Sequence, residues 1–131
     1  MKVTTTFVNI LVRLLIAFNL ILGSLFWIGY ARNLLPIHII VGLASSLSLW
    51  VLCVLAVISR LHYGRTLLAF IWGLSLPLLG FSQDRLLIGD FHWIIQVIHL
   101  LIGIGTAGVA ETLAGGIKQY LRSSQPLLSS D

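Results

Sequence analysis

Four long apolar runs constrain the fold of this 131-residue chain more than any other feature of its sequence. They cover residues 7–31, 34–58, 66–81 and 91–116. An α-helix needs about 20 mostly apolar residues to cross the roughly 30 Å hydrocarbon core of a bilayer. Because 58% of the residues are hydrophobic and only 9% are charged, a water-soluble globular domain is excluded. The sequence predicts an all-α, integral membrane, up-down four-helix bundle over residues 1–122, followed by a disordered tail over residues 123–131.

The basic residues at the ends of these runs predict the orientation of the chain. One side carries five of them: Lys2, Arg60, Arg65, Lys118 and Arg122. The other side carries Arg32 and Arg85. By the positive-inside rule, we expect a multi-pass protein of the plasma (inner) membrane with both termini in the cytoplasm. Since the charges are scattered at helix ends and form no patch, nucleic acid is not an expected partner.

A repeated pattern within the second and fourth runs singles out two histidines. Residues 37–46 read IHIIVGLASS, and residues 98–107 read IHLLIGIGTA. His38 precedes Arg60 by 22 residues and His99 precedes Arg122 by 23, so we expect the two at similar depth, in the outer half of the membrane. An ionisable residue in hydrocarbon is costly and usually faces the bundle interior. We therefore predict that the two imidazoles hold one haem iron between helices two and four.

Small residues next to these histidines fit a flat cofactor. Gly42 and Gly103 each follow a histidine by four residues, which places them on the same helix face. Such a face leaves room for a macrocycle that leucine side chains would exclude. The alternative interpretation is close helix–helix contact, for which membrane bundles also use small residues.

The rim of the predicted pocket lies nearer the outer surface. His92 precedes His99 by seven residues, or roughly 10 Å of helix. It is either an alternative ligand or part of a rim at which haem propionates accept charge-assisted hydrogen bonds. The other predicted rim residues are Gln96, Trp93, Arg32 and Arg85.

The single cysteine narrows the haem type. Cys53 lies within an apolar run, and the chain has no Cys-x-x-Cys-His motif for covalent attachment of a c-type haem. The predicted cofactor is therefore haem b, with iron as its metal. Two histidine ligands fill both axial positions, which favours electron transfer over oxygen activation. We expect an electron-transfer protein or a redox subunit more than a stand-alone enzyme.

The pattern His38 to Gly42 and His99 to Gly103, within four predicted helices, resembles the four-helix transmembrane cytochromes of the b type. Those proteins bind haem inside the bundle between histidines on different helices. The resemblance implies electron transfer near the outer membrane face, with a quinone or a redox protein as partner. Only His62 lies at the inner rim, so a second haem is not expected.

Two other functions remain open from the sequence. His38, His92 and His99 could bind zinc or copper without porphyrin. Alternatively, the chain is a non-catalytic membrane subunit or small transporter whose histidines hydrogen-bond between helices. In that case the residues of interest are Arg13 and Glu111, as an intramembrane charge pair. Arg13 follows Lys2 by eleven residues and Glu111 precedes Arg122 by eleven, so we expect them at similar depth. Besides the lipid bilayer, a second copy of the chain is a candidate partner.

Overall fold

The computed structural model describes residues 1–124, which form helices and no strand. The four long helices are α1 (Lys2–Trp27), α2 (Leu35–Ile58), α3 (Tyr63–Ser82) and α4 (His92–Ser123). Short 3-10 helices at Arg32–Leu34 and Gln83–Arg85 lie in the connections. Each long helix packs against the next, α1 also packs against α4, and α2 contacts α4 across the diagonal. The prediction of an all-α four-helix bundle is confirmed.

All four helices are long and apolar enough to cross a membrane, which fits a multi-pass membrane protein. Large apolar side chains cover much of the lateral surface; Phe7, Leu14, Ile40 and Leu68 are examples. In water such a surface would drive association, whereas lipid tails solvate it well. The fold therefore carries an apolar exterior as well as an apolar core.

The end of α1 differs from the predicted span. The helix ends at Trp27, although the apolar run continues to residue 31. Gly29 adopts a φ of +85°, its N–H donates to the Phe26 carbonyl, and the Tyr30 N–H donates to the Leu25 carbonyl. These two bonds form a Schellman motif, which ends a helix at a left-handed glycine. The apolar composition of residues 28–31 therefore does not predict where α1 ends.

Helix α2 matches its predicted span to within one residue, whereas α3 and α4 extend beyond theirs. The third span was predicted as 66–81, but α3 begins at Tyr63 because the His62 Nδ1 accepts a hydrogen bond from the Gly64 N–H at 3.2 Å. Helix α4 continues past residue 116 to Ser123, since a glycine costs only about 1 kcal/mol in a helix and Ile117 is fully buried in the core. Ser123, predicted in the tail, therefore belongs to α4. The predicted tail from residue 125 onward lies outside the described residues.

The two ends of the bundle differ in composition. One end holds the first residues of α1 and the last of α4, and the half of the bundle on that side is here called the terminal half. It contains core side chains with no exposed surface, including Val12, Leu49, Leu52 and Ile117. The opposite end holds the connections 28–34 and 83–91, and is here called the histidine end.

Candidate functional site

The structure brings His38 and His99 together at the histidine end. His38 lies in the first turn of α2, and His99 lies about two turns into α4. Their ring centres are 6.2 Å apart, and the ring planes are inclined by 55°. The predicted spatial pairing of these two residues, inferred from the repeated pattern, is confirmed.

Neither imidazole is explained by hydrogen bonding within the described residues. The Nδ1 atoms of His38 and His99 are buried and have no hydrogen-bond partner there. A buried polar atom left without a partner costs about 1–3 kcal/mol. The alternative in which these histidines hydrogen-bond between helices therefore finds no support in the described part of the chain.

Each ring is instead seated against the backbone of a neighbouring helix. The Cε1 atom of His38 lies 3.7 Å from the position that a Cβ would take at Gly23 of α1. The Cε1 atom of His99 lies 3.4 Å from the equivalent position at Gly80 of α3. Phe26 also packs edge-on against His38, with ring centres 5.3 Å apart. All four long helices thus meet at the histidine pair.

Two cavities flank the pair. One lies between α2 and α3 and has a volume of about 160 Å³, and the other lies mainly between α1 and α4 and has a volume of about 170 Å³. The residues that line both cavities are His38, His99, Asn19, Leu35, Leu76 and Gln83. The two imidazoles therefore belong to the wall that the cavities share.

The two glycines predicted for the site have different surroundings. Gly42 lines the first cavity, and a Cβ there would lie 3.2 Å from Nδ2 of Asn19. This fits the interpretation of Gly42 as a close helix–helix contact. Gly103 lines the second cavity, and a Cβ there would meet nothing within 4 Å. Only Gly103 leaves open space beside its histidine.

The predicted rim residues are only partly at the cavities. Gln96 lines the second cavity. His92 lines neither cavity, and its Nδ1 lies 3.3 Å from the carbonyl oxygen of Leu86 in the preceding connection. Trp93, Arg32 and Arg85 are exposed at the same end of the bundle, outside both linings. Their contact with propionates stays a prediction.

The geometry does not favour the three-histidine metal site. Within residues 1–124, no group of three or more His, Cys, Asp or Glu side chains is arranged to hold a metal ion. The separation of seven positions from His92 to His99 corresponds to about 10 Å of helix, too far for both to reach one ion. His62 lies at the opposite end of the bundle, where it caps α3.

Sequence reasoning missed Asn19 as a site residue. Asn19 lies within α1, is 9% exposed, lines both cavities, and its Oδ1 is buried without a partner in the described chain. Gly23 follows it by four residues and so shares its helix face. An amide followed by a glycine at this spacing, inside an apolar run, is the signal that would have identified both.

Comparison of the chain with protein-family models, with curated proteins and with solved structures finds no match. The resemblance to membrane b-type cytochromes therefore rests on the histidine–glycine pattern alone. Because one fold serves many functions, the side chains of the site are what can indicate the function of this chain.

Proposed function

We propose that His38 and His99 are the two axial ligands of one b-type haem, and that the protein transfers electrons. The distance of 6.2 Å between the imidazole centres is the observation that carries this proposal. Metal–nitrogen bonds to histidine are about 2.0–2.1 Å long. Two imidazoles bound to opposite faces of one metal therefore have their centres about 6 Å apart. The observed distance between the ring centres is close to this value, which supports the proposal.

The cavities and the unpartnered nitrogens support the same proposal. A flat group held between two rings extends to both sides of the line that joins them. The two cavities lie on different sides, and each is lined by both histidines. Leu35 and Leu76, which line both cavities, give an apolar surface that suits a macrocycle. A ring with a buried nitrogen and no protein partner is also a ring available for a ligand.

The surrounding residues would determine how such a centre behaves. Haem b supplies one-electron chemistry, and filling both axial positions favours electron transfer over oxygen binding. Gly23 and Gly80 let each ring pack closely against a helix, which fixes its orientation. The apolar side chains of the lining, such as Leu35 and Leu76, and the polar side chains Asn19 and Gln83 would together tune the reduction potential. A quinone or a redox protein is the proposed electron partner, since the site lies near one end of the bundle.

A spectrum of the purified protein tests the proposal. The chain is expressed with sufficient haem supply and purified in a mild detergent. We expect a low-spin haem spectrum and about one haem per chain by the pyridine haemochrome assay. Metal analysis of the same sample should show iron at the same ratio. A colourless protein carrying stoichiometric zinc or copper would contradict the proposal and favour a non-haem metal site.

The orientation is part of the same proposal. The terminal side carries five basic residues against two at the histidine end, so the site is proposed to face the outer side of the plasma membrane. In a Cys53→Ser background, Asn33→Cys should react with an impermeant thiol reagent in intact cells. Ser124→Cys should react only after the cells are lysed. The reverse labelling pattern would place the histidine end in the cytoplasm.

A further inference from the structure

A charge pair lies on the lateral surface where α1 meets α4. The Arg13 Nη1 atom is 3.7 Å from the Glu111 Oε2 atom, and the two side chains are 61% and 59% exposed. The Asn9 Nδ2 atom donates a hydrogen bond of 2.9 Å to the same Oε2 atom. The predicted pairing of Arg13 with Glu111 is confirmed. Its exposure was not predicted.

The depth of this pair makes its exposure costly. Arg13 lies eleven residues after Lys2, which corresponds to about 16 Å of helix. Its exposed neighbours on α1 are apolar; they include Ile10, Leu14 and Phe18. If α1 crosses a membrane, the two charges lie within the hydrocarbon region. Charged side chains at such positions almost always face protein or a water-filled cavity.

The pair also has unused hydrogen-bonding capacity. A guanidinium carries five N–H donors. Arg13 makes no hydrogen bond within residues 1–124, since 3.7 Å is too long for one. Glu111 accepts a hydrogen bond from Asn9 alone in that part of the chain. Lipid tails offer neither acceptors to Arg13 nor donors to Glu111, so both groups need a protein surface opposite them.

Small residues flank Glu111 on the same face of α4. Gly108 precedes it by three residues and Gly115 follows it by four, and both are exposed. A Cβ at either glycine would meet nothing within 4 Å. These glycines therefore serve no contact inside the described bundle. In membranes, small residues on a helix surface let a second helix approach closely.

We propose that a second copy of the chain packs on this charged face, which consists of the exposed residues Arg13, Gly108, Glu111 and Gly115. The buried Asn9 lies behind this face and holds Glu111 in place. The face carries one positive and one negative charge at the same depth. A two-fold axis along the membrane normal would place Arg13 opposite Glu111 of the partner subunit, and Glu111 opposite Arg13 of the partner subunit. A closed two-fold interface uses the same patch of both subunits, so that patch must be complementary to itself. The charged face meets this requirement because it carries both a positive and a negative charge. The inference does not depend on haem binding.

Disulfide cross-linking in native membranes tests the dimer without altering the charges. In a Cys53→Ser background, Gly108→Cys should form a covalent dimer under mild oxidation. The control is Leu47→Cys on α2, which is exposed and lies eleven residues from the terminal end of its helix, as Arg13 does. We expect at least tenfold more dimer from the first variant. Equal or absent cross-linking at both positions would overturn the proposal.

Charge exchange tests the pairing itself. Native mass spectrometry in detergent should give a dimer for the wild type and a monomer for Arg13→Glu or Glu111→Arg. The double exchange should restore the dimer, because it restores the complementarity across the two-fold axis. Circular dichroism checks that each variant keeps its helices. A dimer that is indifferent to all three changes, or a stable complex with a different protein in place of a dimer, would overturn the proposal.

Discussion

The terminal half and the histidine end have similar apolar sequences, but they differ in how tightly their side chains pack. Both are built from apolar helices with interspersed glycines. In the terminal half, a glycine such as Gly116 lets the Leu61 side chain pack closely, since a Cβ at Gly116 would lie 2.7 Å from the Leu61 Cδ2 atom. At the histidine end, Gly103 faces open space, and both cavities described above lie there.

The difference separates residues that hold the bundle together from residues that keep space within it. Interiors of proteins are normally packed as densely as organic crystals. The terminal half follows that rule, since Val12, Leu49 and Leu52 have no exposed surface. The histidine end departs from it, and a departure beside two imidazoles is the arrangement expected of a ligand site. Substitutions in the two regions should therefore have different consequences.

The largest effect should come from removing a proposed ligand. His38→Ala and His99→Ala should each lower the haem recovered per chain at least tenfold, or leave a five-coordinate, high-spin spectrum. No neighbouring glycine or serine can replace an imidazole as ligand. Haem content is measured by the pyridine haemochrome assay. If both variants retained low-spin haem, the histidine end would not be the ligand site, and the proposed difference between the two regions would be contradicted.

Chemical rescue sharpens the same prediction. His99→Gly leaves a space that a free imidazole molecule can enter. Adding imidazole and haem to this variant should restore a low-spin spectrum, whereas the wild-type spectrum should not change. Because free haem also becomes low-spin with imidazole, the spectrum is recorded on haem that co-elutes with the protein in gel filtration. A variant that has merely unfolded would retain no such haem, so rescue distinguishes loss of a ligand from loss of the fold.

A pair of leucines compares packing in the two regions. Leu52→Ala should cost about 2–5 kcal/mol in free energy of unfolding, because Leu52 is fully buried in the core. Haem per folded chain should be unchanged. Leu76→Ala should cost less, since Leu76 already borders both cavities, but it should shift the reduction potential of the haem. Thermal unfolding and redox titration measure the two effects, and similar behaviour of both variants would contradict the distinction.

A double-mutant cycle probes the charge pair. Arg13→Leu and Glu111→Leu each leave a charge without its opposite partner in a low-dielectric region, so each single change should destabilise the protein more than the double change does. We expect a coupling of about 0.5–3 kcal/mol in thermal or denaturant unfolding. Strictly additive effects would indicate that the two charges do not interact.

The smallest effects should come from the other two histidines. His92→Ala should keep a low-spin spectrum with a shifted reduction potential, because His92 lies at the histidine end but lines neither cavity. His62→Ala should leave the spectrum unchanged, because His62 caps α3 at the opposite end. If His92→Ala lost low-spin haem while His38→Ala or His99→Ala retained it, His38 and His99 would not be the ligand pair.

The sequence predicts the four helices well because apolar length is a strong and local signal. It predicts the His38–His99 pair because the repeated pattern places both residues at the same depth. It does not predict the roles of Asn19, Gly23 and Gly80. Their importance depends on how each helix is rotated about its axis, and rotation is set by packing against the other helices. For the same reason the sequence did not distinguish Gly42, which contacts Asn19, from Gly103, which faces a cavity.

Electron paramagnetic resonance of the oxidised wild-type protein at low temperature is the most direct test of the central claim. The spectrum reports the axial ligands of a ferric haem. The proposal predicts a low-spin signal typical of two imidazole ligands, lost in His38→Ala and in His99→Ala and retained in His62→Ala. A high-spin ferric signal in the wild type, or a low-spin signal unaffected by both substitutions, would contradict the proposal that these two histidines hold one iron.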